Sequence, residues 1–122
     1  MDVSEKIAYR EELKSRLRRF ALNLIELSKQ TSFNSESKVL LNQLLRSGTS
    51  VHTNYRAACR ARSKAEFFSK LSIVVEETDE TEMWLDLVIA SKVNESDLAK
   101  GLYNESLEIL KIMSKARKSL SS

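Results

Sequence analysis

The sequence predicts an all-α fold, an antiparallel up-down-up-down four-helix bundle. Three observations predict it. Apolar residues recur at heptad spacing in four separate segments. The 122 residues include no proline and only two glycines, Gly48 and Gly101. Polar residues suited to capping stand before the later segments. An all-β chain of this length would need many turn residues, and these are missing. The expected helices cover about 4–30, 35–61, 64–91 and 95–119.

In the first segment Leu13, Leu17, Phe20, Leu24 and Leu27 alternate steps of four and three, and Ile7 and Ile25 are expected to widen the stripe. The run Thr31 to Ser35 ends it, because Ser, Thr and Asn compete locally for helical hydrogen bonds. Asn34 or Ser35 caps the second segment, whose stripe is Leu41, Leu44, Gly48, Val51, Tyr55 and Ala58. Gly48 lies on that stripe among small residues. It marks either a close helix–helix approach or a local kink or ligand contact.

The third segment opens on a capping box, Ser63 to Glu66, and carries Phe67, Leu71, Val74, Thr78 and Leu85. The fourth opens at Asn94 to Asp97, with Val93 and Leu98 placed as a hydrophobic staple, and carries Leu102, Ile109, Met113, Ala116 and Leu120. Short links between long helices favour antiparallel neighbours. Residues 1–122 read as one domain, with 120–122 expected to fray.

Composition narrows the function classes. A 42% hydrophobic and 30% charged chain is too apolar for disorder. No apolar run approaches the roughly 18 residues of a membrane span, and the N-terminus lacks the apolar core of a secretory signal. The single cysteine, Cys59, cannot form an intrachain disulfide. The expectation is a cytoplasmic, reducing setting and no membrane partner.

Chemistry is sparse. One histidine, His52, cannot supply the paired Glu-x-x-His of a di-iron bundle or a Cys/His zinc site. Glu76, Glu77, Asp79 and Glu80 read as an exposed acidic face rather than a cation site. Cys59 lies near three arginines in sequence, which would lower a thiol pKa, yet it reads first as a small core residue. No glycine-rich phosphate loop is present. The expectation is no catalytic residue, no metal and no cofactor; the chain is not expected to be an enzyme.

Charge is unevenly spread although the net is only +3. Residues 32–62 hold five basic residues against Glu36 alone, and residues 63–92 hold seven acids against three basic residues. Arg56, Arg60 and Lys64 form a spaced row with Arg62 beside it. They either contact phosphates or pair with the acidic helix next door. Arg18 and Arg19 belong to a second basic cluster, with Lys14 and Arg16. Arg46, Asn54 and Glu77 are expected to form a buried polar network that sets helix register. Leu40, Ile73, Val75 and Trp84 lie off the main stripes. They mark a subunit interface or one wide core stripe.

Several of these residues carry a resemblance. Asn42-Gln43, Arg46-Ser47, Ser50, Asn54-Tyr55, Cys59 to Lys64, Glu76-Glu77, Asp79-Glu80 and Trp84-Leu85 follow one pattern, and Phe20 to Ile25 fits it. On these the chain resembles the bacterial four helix bundle protein family, also called the 23S rRNA-intervening-sequence protein family. The match covers about residues 13–90. More distantly the chain is similar to the accessory protein of diversity-generating retroelements. The resemblance implies a homopentameric bundle with a link to RNA. It also implies small residues, often Gly-Ala, where this chain has His52-Thr53.

Five copies at +3 would carry +15, enough for multivalent phosphate contact. The leading expectation is an oligomeric RNA- or nucleic-acid-binding protein using Arg56, Arg60, Arg62 and Lys64, with Arg18 and Arg19 second. The alternative is a scaffold or accessory subunit for a protein partner, for example in a reverse transcriptase complex, without direct nucleic-acid contact.

Overall fold

The structure, a computed structural model, describes residues 1–121. Four α-helices follow one another: α1 (Val3–Gln30), α2 (Ser35–Cys59), α3 (Lys64–Ala90) and α4 (Asp97–Ser121). No strand occurs among the described residues. Successive helices pack as antiparallel neighbours, α2 with α3 most extensively, and α1 against α4 least. Two of the links meet at one end of the bundle, where Asn94 Nδ2 donates to Thr31 Oγ1 at 2.9 Å. The α2–α3 turn lies at the other end. Helix α4 runs to Ser121, and of the stretch 120–122 expected to fray, residue 122 lies outside the described residues.

The core is made by the expected stripes. Leu17, Leu24, Leu27, Leu44, Val51, Leu71, Val74, Leu85 and Ile109 are almost completely buried. Two expectations fail on α1: Ile7 is 58% and Ile25 37% exposed, and Ala21 takes the inward place instead. Helical geometry explains this. Ile7 and Ile25 flank the a/d seam, and α1 has too little contact with α4 to close over its flank.

Gly48 marks a close approach. A Cβ there would run into Leu24 Cδ1 of α1, with Thr81 Cγ2 of α3 at 3.7 Å, so three helices converge on this point. Nearby sits the buried polar link between α2 and α3: Ser47 Oγ and Thr81 Oγ1 are 2.9 Å apart, both fully enclosed.

The helix ends match the sequence reading in part. Asn34, not Ser35, caps α2, with Ser37 returning the bond to the Asn34 amide at 2.9 Å. Ser63 caps α3 by accepting from the Glu66 amide at 3.0 Å, but Glu66 reaches the Arg62 amide instead of closing the box on Ser63. For α4 the cap is Ser96, which accepts from the Ala99 amide at 3.2 Å. Asn94, the expected cap, instead makes an Asx turn onto the Ser96 amide, so the cap falls two residues later than expected.

A candidate nucleic-acid interface at the basic corner

The α2–α3 turn decides where the basic row stands. A straight row at 56, 60 and 64 would need α2 to continue through 61. It stops at Cys59, with the Arg60 and Ala61 amides closing onto Ala57 O and Ala58 O at 3.1 and 3.0 Å. Arg56 therefore sits on the last turn of α2, Arg60 on its cap, Arg62 in the turn and Lys64 at the start of α3. The four cations wrap a corner of the bundle instead of forming a ridge.

All four are exposed. Among the described residues none of their side chains makes an ion pair or hydrogen bond. The acidic face of α3 is engaged elsewhere. Arg46 Nη1 donates to Glu77 at 3.2 Å, and its Nη2 donates to Glu80. Glu80 also accepts from the Trp84 indole N–H at 2.9 Å. The sequence expectation of pairing between the basic row and this helix is thus not met; Arg46 takes that role.

Arg46, Asn54 and Glu77 do not form one buried network. Arg46 and Glu77 join at the surface, with the Arg46 side chain 49% exposed. Asn54 turns back along its own helix to Ser50 O and Ser50 Oγ, at 2.9 and 2.8 Å. The buried link is Ser47–Thr81, which the run of small residues around Gly48 signals only as close packing.

The second basic cluster is divided. Lys14 pairs with Glu11 at 2.6 Å. Arg16 holds Glu105 of α4 through two bonds, 2.7 and 2.8 Å, and this carboxylate raises the guanidinium pKa further above its already high value. Arg19 lines a groove of about 350 Å³ between α1 and α4, beside Phe20, Asp97 and Glu105. Arg18 is exposed and lies within electrostatic reach of His52, whose pKa it helps to lower. Of the two, only Arg18 joins the corner.

Sequence reasoning did not place two residues, Arg10 and His52, in this region. Arg10 lies over the Phe67 ring, 4.9 Å from its centroid, which fastens the start of α1 to α3. His52 Nδ1 is enclosed without a partner. Burial chiefly, then Arg56 and Arg18, hold the His52 pKa below its usual value. Lys64 also borders an open groove with Ala65, Phe68 and Leu120. Tyr55, behind the corner, has its hydroxyl pKa raised mainly by burial and then by Cys59. Cys59 itself is half-buried against the core.

The expected interface residues also separate. Val75 is 9% exposed and belongs to the bundle core, because α3 packs on both α2 and α4 and needs a wide stripe. Leu40 and Trp84 are half-buried against the core, and Ile73 is half-buried. Exposed apolar side chains lie nearby at Val39, Met83 and Leu87.

Among the described residues, no group of three or more His, Cys, Asp or Glu is arranged to hold a metal ion. No helix among them is long and apolar enough to cross a membrane.

A family model described as 23S rRNA-intervening sequence protein matches residues 12–115. The match takes in most of α4, further than the resemblance read from residues alone. A solved structure, a protein with unknown function from the S23 ribosomal protein family of Bacteroides thetaiotaomicron, is similar. It is 35% identical, covering 89% of this chain and 97% of that one, with a TM-score of 0.78. No curated protein matches.

Proposed function

Because the chain belongs to the 23S rRNA-intervening sequence protein family, we propose that it is a non-enzymatic, self-associating bundle that holds RNA on its basic corner. One observation carries the reading: Arg56, Arg60, Arg62 and Lys64 are gathered at one exposed corner, and among the described residues none is neutralised by a carboxylate. Unpaired cations on a rigid scaffold meet phosphates without first breaking internal ion pairs.

The charge layout supports this. Residues 1–16, 47–76 and 109–121, which make the α2–α3 turn end, carry thirteen basic side chains and six acids. The opposite end, residues 17–46 and 77–108, carries eleven acids and seven basic side chains. A net charge of +3 understates the field at that end. Several copies in one particle would add their corners, turning weak phosphate contacts into useful affinity.

The test is size-exclusion chromatography with light scattering on freshly purified protein, read with its 260/280 nm absorbance ratio. The expected result is an oligomer, five subunits on the family resemblance, carrying nucleic acid at low salt and losing it as salt rises. A monomer free of nucleic acid at low salt would contradict the proposal. Recovery of one stoichiometric protein instead of RNA would favour the scaffold reading.

A further inference from the structure

His52 stands one turn before Arg56 on α2. The Gly48–Leu24 contact sets the level of α1 against α2. The two helices run antiparallel, so moving from Gly48 toward the end of α2 means moving from Leu24 back toward the start of α1. Arg18 comes level with the stretch between His52 and Arg56. The charged groups whose fields reach the imidazole are these two, Arg56 from its own helix and Arg18 from α1, and both are exposed cations.

The ring is held in one orientation of its hydrogen-bonding edges. Nδ1 is shut off from solvent with no partner. Nε2 has no partner among the described residues either, and it is not enclosed. An enclosed N–H without an acceptor is costlier than an enclosed lone pair. The neutral ring therefore keeps its proton on Nε2, the edge that is not enclosed, within electrostatic reach of two guanidinium groups. All three groups donate and none accepts. Their complement is an anion with several oxygens.

We infer that Arg18, His52 and Arg56 form one phosphate-binding notch bridging α1 and α2, in which the two guanidiniums supply charge and His52 Nε2–H a directional hydrogen bond. The inference rests on the RNA reading and adds a pH linkage to it. It is particular to this chain, since the family resemblance implies a small residue where His52 stands.

A phosphate seated in the notch offsets the two cations that disfavour a protonated His52. Binding then raises the His52 pKa, and protonation of His52 tightens binding by the same factor. His52 is the only histidine, so its ring C–H signal in NMR reports this without assignment.

The experiment is a titration of that signal across about pH 5 to 8, for the free protein, with saturating oligouridylate and with inorganic phosphate. Oligouridylate is expected to raise the His52 pKa by about one unit. Affinity for a fluorescein-labelled oligouridylate should rise as pH falls, by at most about tenfold per unit. His52→Gln should abolish this slope and keep most of the affinity at the alkaline end. In the free protein, Arg18→Met and Arg56→Met should each raise the His52 pKa, which tests the geometry without RNA.

Oligouridylate that binds without moving the His52 pKa, or an unaltered pH slope in His52→Gln, would overturn the notch. So would a His52 pKa indifferent to both arginine substitutions. Absence of RNA binding at low salt would instead overturn the proposed function. The phosphate titration then still decides the notch, and an unmoved His52 pKa there would also overturn it.

Discussion

The two glycines make opposite demands on the chain. Gly48 leaves no room for a methyl group, because Leu24 occupies that space and is itself fully enclosed. Gly48→Ala gains helix propensity but overpacks the core at a cost of about 1–3 kcal/mol, so net destabilisation is expected. At Gly101 a methyl group would meet no atom within 4 Å, and the residue is exposed. Gly101→Ala should stabilise by about 0.5–1 kcal/mol. Urea unfolding of both variants checks the contrast. His52 gives a pH prediction. Its folded pKa lies below the unfolded value of about 6.5, so the unfolded chain binds the proton more readily. Stability is full above about pH 6.5, falls as pH drops toward the folded pKa, and then levels. His52→Gln should flatten that decline in the urea midpoint. The closeness at Gly48 was legible, since a glycine on an apolar stripe has few other uses. The setting of His52 was not, because its second arginine, Arg18, comes from another helix.

The helices themselves were readable from heptad spacing, and their starts fall within two residues of expectation. What local sequence could not reveal was the competition at each end. Asn94 and Ser96 can both cap, and the choice turned on Asn94 also reaching Thr31 across the bundle. The α3 end is another such case: Lys92 takes a left-handed backbone with φ 65°, a place where glycine is usual, and no glycine marks it. Between α2 and α3, the expected network of long polar side chains gave way to two hydroxyls. Long side chains escape to water, whereas Ser47 and Thr81 are too short to leave the interface. Thr81→Val should cost about 1 kcal/mol, and so should Ser47→Ala. Each hydroxyl keeps an intrahelical partner, Leu44 O for Ser47 and Glu77 O for Thr81, so the double variant should cost less than the two combined only because the shared bond is lost once. A double-mutant cycle by urea unfolding measures that coupling; additive costs would show that the two hydroxyls act independently.

For the whole molecule, the bundle sorts its charge by height. The heptad pattern made the fold legible, but the charge pattern gathers at one end only once the antiparallel topology brings the end of α4 beside the α2–α3 turn. From sequence alone the basic row and the acidic run looked like partners, because they are consecutive. In the fold Arg46 answers the acids and the row is left unpaired. The central claim is that these unpaired cations bind RNA, and its most direct test is the salt dependence of oligouridylate binding by the purified protein, followed by fluorescence anisotropy. Wild-type affinity should fall linearly on logarithmic axes between about 50 and 200 mM salt. Replacing Arg56, Arg60, Arg62 and Lys64 by glutamine should lower the slope by about one for each phosphate contact removed. A variant that binds as tightly as wild type, with the same slope, would contradict the account.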